Sequence, residues 1–181
     1  MSGQDGLWPV VVRLGDVVRF TEVNPLSRRL VADESVRRAV ARALELVRLE
    51  RLEADLDVSG WFDGVRIDGR WQADIVQTCG VSLEDFPSEL TGEFTVRAVP
   101  KGSNHAVAPE AEIEIDIDSD DPPDVLGSDA IDLGGYVVEH LALEIDPFPR
   151  KPGAVFEPPE AEPESSPFDA LLKLKDSNPK A

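Results

Sequence analysis

The segments "LERLEADLDVSGW" (residues 49–61) and "GVRIDGRWQADIVQTC" (residues 64–79) alternate apolar with polar side chains. A period of two is typical of β-strands that bury one face and leave the other in water. The pattern returns in "SELTGEFTVRAV" (88–99) and "AEIEIDID" (111–118), with Gly, Asp and Pro residues marking turns between the segments. The sequence therefore predicts an antiparallel sheet with one solvated face, to which "VVVRL" (10–14) would add an edge strand.

Two helices are predicted on either side of these segments. Asp33 is a suitable N-cap for a first helix over residues 33–47, in which apolar residues recur at intervals of three and four while arginines fill the remaining arc. Asp132 or a neighbour can cap a second helix, which Pro147 ends. Its apolar stripe comprises Leu133, Val137, Val138, Leu141, Ala142 and Ile145. The predicted fold is α+β, an antiparallel β meander with helices covering one side.

Composition divides the chain into a domain and a tail. Residues 1–150 are expected to form a single α+β domain, whereas residues 151–181 are rich in Pro, Glu and Ser and are predicted to be a flexible linker. The linker ends in a short amphipathic motif that Ser166 and Pro167 can open. Its apolar residues are Phe168, Leu171, Leu172 and Leu174. This motif is expected either to bind a partner or to fold back on the domain.

Charge is unevenly distributed along the sequence. The chain has 36 acidic and 18 basic side chains, a formal net charge of −18, which repels phosphate backbones unless the basic residues gather on one face. Residues 109–132 contain no basic residue. An acidic surface of this kind favours a basic partner. The stretch from Ser27 to Arg51 is rich in arginine instead. The alternative of direct RNA contact would use Arg28, Arg29, Arg37, Arg38 and Arg42.

Few residues suggest reactive chemistry. Tyr136, His140 and Glu144 are spaced by four and share one side of the second helix, opposite its apolar stripe. We interpret this side as solvated, and the alternative is an acid/base enzyme that uses His140 and Glu144. No catalytic residue, cofactor site or metal site is predicted.

Cys79 is the single cysteine of the chain, so a disulfide within the chain and a multi-thiolate metal site cannot form. Glu84 and Asp85 lie nearby in sequence and are expected to raise its pKa, which leaves Cys79 as a small packed side chain.

The first 20 residues lack a cationic start followed by an apolar run, and no stretch approaches the roughly 20 apolar residues that span a bilayer. The expected location is the cytoplasm, away from membranes.

Three segments in this order resemble the YceD-type large ribosomal RNA subunit accumulation proteins in their α-proteobacterial form. They are "DIVQTCGVSLEDFPSELTGEFTV" (74–96), "IDLGGYVVEHLALEIDPFPRKPG" (131–153) and "SPFDALLKLK" (166–175). Many relatives carry a C-x-x-C or C-x-R-C pair where this chain has Cys79 and Ser82. Only the first thiol is present, so a metal site cannot be carried over from those relatives.

The resemblance implies a cytoplasmic, bacterial, noncatalytic factor in ribosome biogenesis. Such a factor would support the accumulation or processing of large-subunit rRNA by binding a basic ribosomal protein or a processing factor. Direct contact with large-subunit rRNA through the arginines named above is the alternative.

Overall fold

A computed structural model describes residues 6–106 and 121–156 of the chain. The predicted strand at 111–118 and the C-terminal motif at 166–175 lie outside these residues. The elements in chain order are β1 (Val11–Arg13), α1 (Leu14–Val17), β2 (Leu26–Val31), α2 (Glu34–Ala43), β3 (Arg48–Trp61), β4 (Gly64–Thr78), β5 (Asp85–Pro100), β6 (Asp124–Leu126), β7 (Ala130–Asp132) and α3 (Leu133–Glu144).

The main sheet has five strands in the order β2-β3-β4-β5-β6. The first four are antiparallel neighbours in chain order, and β3, β4 and β5 confirm three strands of the predicted meander. The last pair departs from the prediction because β6 runs parallel to β5, with Ala98 beside Asp124. A parallel neighbour requires a long crossover connection rather than a tight turn, and the chain between Pro100 and Asp124 supplies it.

One face of the sheet carries the core, and the helices cover that face. Alternate residues of β3 and β4 are buried there, as the period of two predicts. They pack with Val40 and Ala41 of α2 and with Val137, Val138 and Leu141 of α3 in one cluster. The fold class is thus α+β, as predicted. No helix within residues 6–106 and 121–156 is long and apolar enough to cross a membrane.

Helix α2 begins where the sequence predicts and ends earlier. The Asp33 side chain accepts a hydrogen bond from the Val36 N–H at 2.9 Å, which confirms the N-cap. The predicted continuation to residue 47 is wrong because Glu45 adopts a left-handed conformation, with φ of 55°. The Leu46 N–H then returns to the Ala41 carbonyl, a common way to close a helix. The Val47 N–H already bonds to β4, at the Val76 carbonyl.

Strand β2 occupies a stretch that the sequence analysis assigned to no element. Its arginines interrupt the apolar pattern, yet it pairs with β3 over six residues and forms the edge of the main sheet. Strand β1 forms inside the predicted "VVVRL" segment, but it pairs with β7 in a separate two-stranded sheet. The expectation that β1 borders the main sheet is therefore wrong.

Helix α3 confirms its predicted cap and most of its stripe. The Asp132 carboxylate accepts from the Gly135 N–H at 3.0 Å. Ala142 is exposed rather than part of the stripe, whereas Leu141 before it is buried and Ile145 after it packs partly buried against the core. At the other end, the chain around Trp8 crosses α3 so closely that a Cβ on Gly134 would lie 1.9 Å from the Trp8 carbonyl oxygen.

Candidate functional site

The face of the main sheet opposite the described helices carries a hollow lined mainly by carboxylates. The strand register places Asp55, Arg70 and Glu93 in one cross-strand row, and Asp57 and Asp68 in the next. These side chains line a volume of about 470 Å³, with four carboxylates against one guanidinium. We call these five residues the acidic hollow. Its charge balance suits a cationic side chain of a partner.

Asp57 and Asp68 lie directly opposite each other across β3 and β4, an arrangement of like charges that is unfavourable on its own. Ser27 donates to Asp57, while Arg66 and the Thr95 hydroxyl donate to Asp68 at 2.9 and 2.7 Å. Burial acts to raise the pKa of Asp68, but the hydrogen bonds from Arg66 and Thr95 outweigh it and hold that pKa below its ordinary value. Asp68 is therefore negative at neutral pH.

Arginines at the border of the acidic hollow are paired with carboxylates. Arg29 lies 2.8 Å from Glu53 and 3.5 Å from Asp55. Arg51 donates two hydrogen bonds to Asp74, at 2.9 and 3.1 Å. Pairing lowers the attraction of these guanidinium groups for phosphate. The guanidinium groups of Arg29 and Arg51 are therefore less available to phosphate.

A second groove collects arginines beside α2. Four arginines and two glutamates surround an apolar floor, and the groove has a volume of about 760 Å³; its lining comprises Arg37, Arg38, Arg42, Arg48, Glu34 and Glu50 around Ala41, Leu46, Val47 and Leu49. Arg38 lies 3.4 Å from Glu34 and Arg48 lies 3.4 Å from Glu50, in exposed ion pairs that a phosphate would have to replace. We call this second groove the arginine groove. It contains three of the five arginines that the sequence suggested for RNA contact, and it adds Arg48.

The other two predicted RNA contacts, Arg28 and Arg29, lie on β2, away from this groove. Adjacent strand residues point to opposite faces of a sheet, so they do not share a surface with each other. Arg28 donates to the Ser27 carbonyl, and Arg29 is held by the acids described above. The structure therefore brings only part of the predicted set together.

The polar side of α3 is less exposed than predicted. Tyr136 and His140 are half-buried because this side of the helix packs over β5, where the His140 ring stacks on Phe94 with centroids 4.0 Å apart. Tyr136 donates to Asp124 at 3.1 Å, and burial together with that carboxylate raises the tyrosine pKa. Both residues line a hollow of about 310 Å³.

Glu144 is exposed and is not among the residues that line this hollow. His140 Nδ1 lies 2.8 Å from the Tyr136 carbonyl oxygen, so a proton on Nδ1 is donated to that carbonyl within the helix. An acid/base pair requires both groups to reach one substrate position. The geometry does not bring His140 and Glu144 together in this way.

Cys79 has surroundings that the sequence did not indicate. Its buried sulfur accepts backbone hydrogen bonds from Val81, Ser82 and Lys151 at 3.3–3.4 Å. The Ser82 hydroxyl, followed by the N–H groups of Ser82 and Lys151, lowers the pKa of Cys79 to about 6. The expected rise is wrong because hydrogen bonds from Ser82, three residues away, and from the distant Lys151 stabilise the thiolate. Within the described residues, no three His, Cys, Asp or Glu side chains are grouped so that they could hold a metal ion.

An aromatic cluster at the tip of the β3–β4 hairpin was missed by the sequence analysis. It consists of Trp61, Phe62 and His105, with the Arg97 guanidinium 5.5 Å from the Trp61 ring centroid. We call these four residues the aromatic tip. The available signal was a tryptophan–phenylalanine pair at a turn between two strands, where small polar residues and glycine are usual.

Comparison with known proteins gives one match. Residues 67–175, more than half of the chain, match a family model described as "Large ribosomal RNA subunit accumulation protein YceD". The match begins within β4 and includes α3. No curated protein and no solved structure matches the chain.

Proposed function

Because this chain belongs to the YceD family of large ribosomal RNA subunit accumulation proteins, we propose that it is a noncatalytic assembly factor acting in the cytoplasm. It supports the accumulation or processing of large-subunit rRNA by binding a basic ribosomal protein or an rRNA-processing factor.

The acidic hollow is the observation that carries this proposal. Four carboxylates and one guanidinium line this concave surface, which lies on the sheet face opposite the helices of the described residues. Arg29 and Arg66 pair with Asp55 and Asp68 at its edge, so that the surface retains an excess of acidic groups. Lysine and arginine side chains are abundant on proteins that bind rRNA, and complementary charge both speeds and orients such an encounter. The negative run at 109–132 adds acidic residues in the connection that leads to β6.

Capture of ribosomal proteins at low salt tests the proposal. The double variant Asp55→Asn/Asp57→Asn should bind a basic partner about 2- to 30-fold more weakly, since each lost ion pair at a partly exposed site contributes about 0.2–1 kcal/mol. The control Glu45→Gln/Glu144→Gln removes the same charge from exposed positions away from the hollow and should bind normally. Equal capture by both variants, or no basic protein captured by the natural chain, contradicts the proposal.

The tail extends this proposal. Residues 1–150 act as one domain. Residues 151–181 comprise the linker and, within it, the apolar motif of Phe168, Leu171, Leu172 and Leu174. A helix of about ten residues is marginal without a surface to pack against, so the motif needs either the domain or a partner. Deletion of residues 160–181 separates these roles. Loss of ribosome association at unchanged thermal stability supports partner binding, whereas loss of stability alone supports fold-back.

Direct rRNA binding is the second candidate function, and the arginine groove favours it. Three arginines of α2 and Arg48 flank one concavity, where they can meet successive phosphates. Arg38→Glu/Arg42→Glu should reduce RNA affinity and make the salt dependence less steep, by about one unit for each lost phosphate contact. Arg28→Glu/Arg29→Glu should have a smaller effect if the groove is the contact surface. The reverse order would show that β2 is the contact surface.

A further inference from the structure

The turn of the β3–β4 hairpin places a phenylalanine where glycine is expected. Trp61 pairs with Gly64, so Phe62 and Asp63 form a two-residue loop. Phe62 has a φ of 50°, a conformation that bulky residues rarely adopt and that such loops usually assign to glycine or asparagine. Its side chain is also 71% exposed. Neither the turn nor the core gains from this ring, and strained residues of this kind concentrate at functional sites.

A second segment is fastened to the turn and places another ring on Phe62. The Ser103 hydroxyl donates to Asp63 at 2.8 Å and accepts from the His105 N–H at 3.0 Å. The His105 ring stacks on Phe62 with centroids 4.0 Å apart and planes inclined by 15°. Trp61 meets Phe62 edge-on at 4.8 Å. The aromatic tip is therefore held by two separate parts of the chain.

One guanidinium lies on these rings, and two further cationic side chains belong to adjoining segments. Arg97 lies over Trp61, and exposed Lys101 begins the loop that carries His105. Arg19 lies over Phe20 at 5.3 Å, and the Phe20 carbonyl accepts from the Gly60 N–H next to the tip. Aromatic planes flanked by cations are the combination that binds the bases and phosphates of a single strand. A basic protein would be repelled by the same cations.

We propose that the aromatic tip is a stacking platform for unpaired RNA bases, with Arg19, Arg97 and Lys101 directed to the adjoining phosphates. The proposal rests on the proposed role in rRNA accumulation only for the identity of the RNA. It adds a contact distinct from the arginine groove, which lies near the opposite end of β3. At the rise per residue of an extended strand, the two ends of β3 are about 40 Å apart.

Binding of a fluorescein-labelled 20-mer oligouridylate to the full-length chain tests the platform. Trp8 and Trp71 are buried at 4% exposure, so quenching of tryptophan fluorescence by the RNA should report on Trp61. Phe62→Gly removes the ring and gives the turn the residue it prefers. This variant should unfold at the same or a higher temperature than the natural chain, yet bind the RNA about 10- to 100-fold more weakly, the range for one lost base–aromatic stack.

Leu83→Gly is the matched control because Leu83 is also exposed, at 78%, and also has a positive φ, of 59°. It should leave RNA affinity unchanged. Equal RNA binding by Phe62→Gly and the natural chain, or no binding by either, overturns the proposal. Loss of ribosomal-protein capture in Phe62→Gly at unchanged RNA affinity would assign the tip to a protein partner and also overturn it. The Asp55→Asn/Asp57→Asn variant keeps the aromatic tip intact. Its ribosomal-protein capture assay can therefore contradict the proposed function without affecting the RNA-binding test of the tip.

Discussion

Replacing Gly134 by alanine should destabilise the protein, although helix propensity predicts the opposite. Glycine inside a helix costs about 1 kcal/mol relative to alanine, so Gly134→Ala and Gly135→Ala should both be favourable on the sequence alone. In the structure a Cβ at Gly134 would lie 1.9 Å from the Trp8 carbonyl oxygen and 2.9 Å from its carbonyl carbon. Both atoms belong to the backbone, so no side-chain rotation can relieve the contact.

The magnitude follows from the displacement required. An ordinary contact needs about 3.4 Å, so α3 and the Trp8 segment must separate by roughly 1.5 Å, and overpacking of this kind typically costs about 1–3 kcal/mol. The separation also weakens the hydrogen bond from the Leu133 N–H to the Val10 carbonyl, 2.9 Å long, which contributes about 1 kcal/mol. After subtracting the propensity gain, we expect a net loss of about 2 kcal/mol, or about 4–8 °C in Tm for a chain of this size.

Urea unfolding followed by tryptophan fluorescence measures this loss. Gly135→Ala is the internal control because its added Cβ would meet the Asp132 carboxylate, a side chain that can move, at 2.9 Å. It should change the free energy of unfolding by less than about 1 kcal/mol. The reasoning fails if Gly134→Ala is as stable as the natural chain, or if Gly135→Ala is the more damaging of the two.

Three further predictions concern single residues. Asp33→Ala removes the acceptor for the Val36 N–H and should cost about 1 kcal/mol, measured by thermal unfolding, with no loss if the cap is dispensable. Glu45→Gly relieves a left-handed conformation and should raise Tm by about 2–4 °C, whereas a fall would show that the Glu45 side chain matters. The pKa of Cys79 is lowered from 9.0 to about 6, so the thiolate should appear at 240 nm near pH 6. The pKa of Cys79 is lower in the folded than in the unfolded protein, so the thiolate stabilises the fold fully above pH 9, and this stabilisation is lost as the pH falls to 6. If a Cys79→Ala variant shows the same dependence of stability on pH as the natural chain, this reasoning is wrong.

The period of two and the capping aspartates predict much of the fold because both are local signals. Strand β3 needs only its own alternation to be recognised, and Asp33 lies three residues from the N–H that it caps. Strand β2 is not recognised in this way because it is an edge strand whose arginines lie in solvent. Its sequence therefore lacks the alternation of apolar and polar residues. The early end of α2 depends on the Val47 N–H finding Val76 on another strand.

The candidate sites are harder to predict because they depend on distant contacts. Cys79 receives hydrogen bonds from its near neighbours Val81 and Ser82 and also from Lys151, 72 residues along the chain, and no local pattern indicates that distant contact. The acidic hollow arises from register, which sets Asp57 against Asp68. The aromatic tip combines a hairpin loop with His105, which lies beyond the end of β5. Sequence alone identified the arginines of α2, but it could not show that Arg28 and Arg29 lie elsewhere.

The parallel pairing of β5 and β6 has a topological consequence for the acidic connection. Ala98 lies beside Asp124, so Lys101 and Pro123 are only about 14 Å apart at the spacings of a β-sheet, although most of the negative run separates them in sequence. The two flanks of the run are consequently fixed close together at one edge of the sheet. A ligand that the run captured would be confined within a few nanometres of the sheet edge, at millimolar effective concentration.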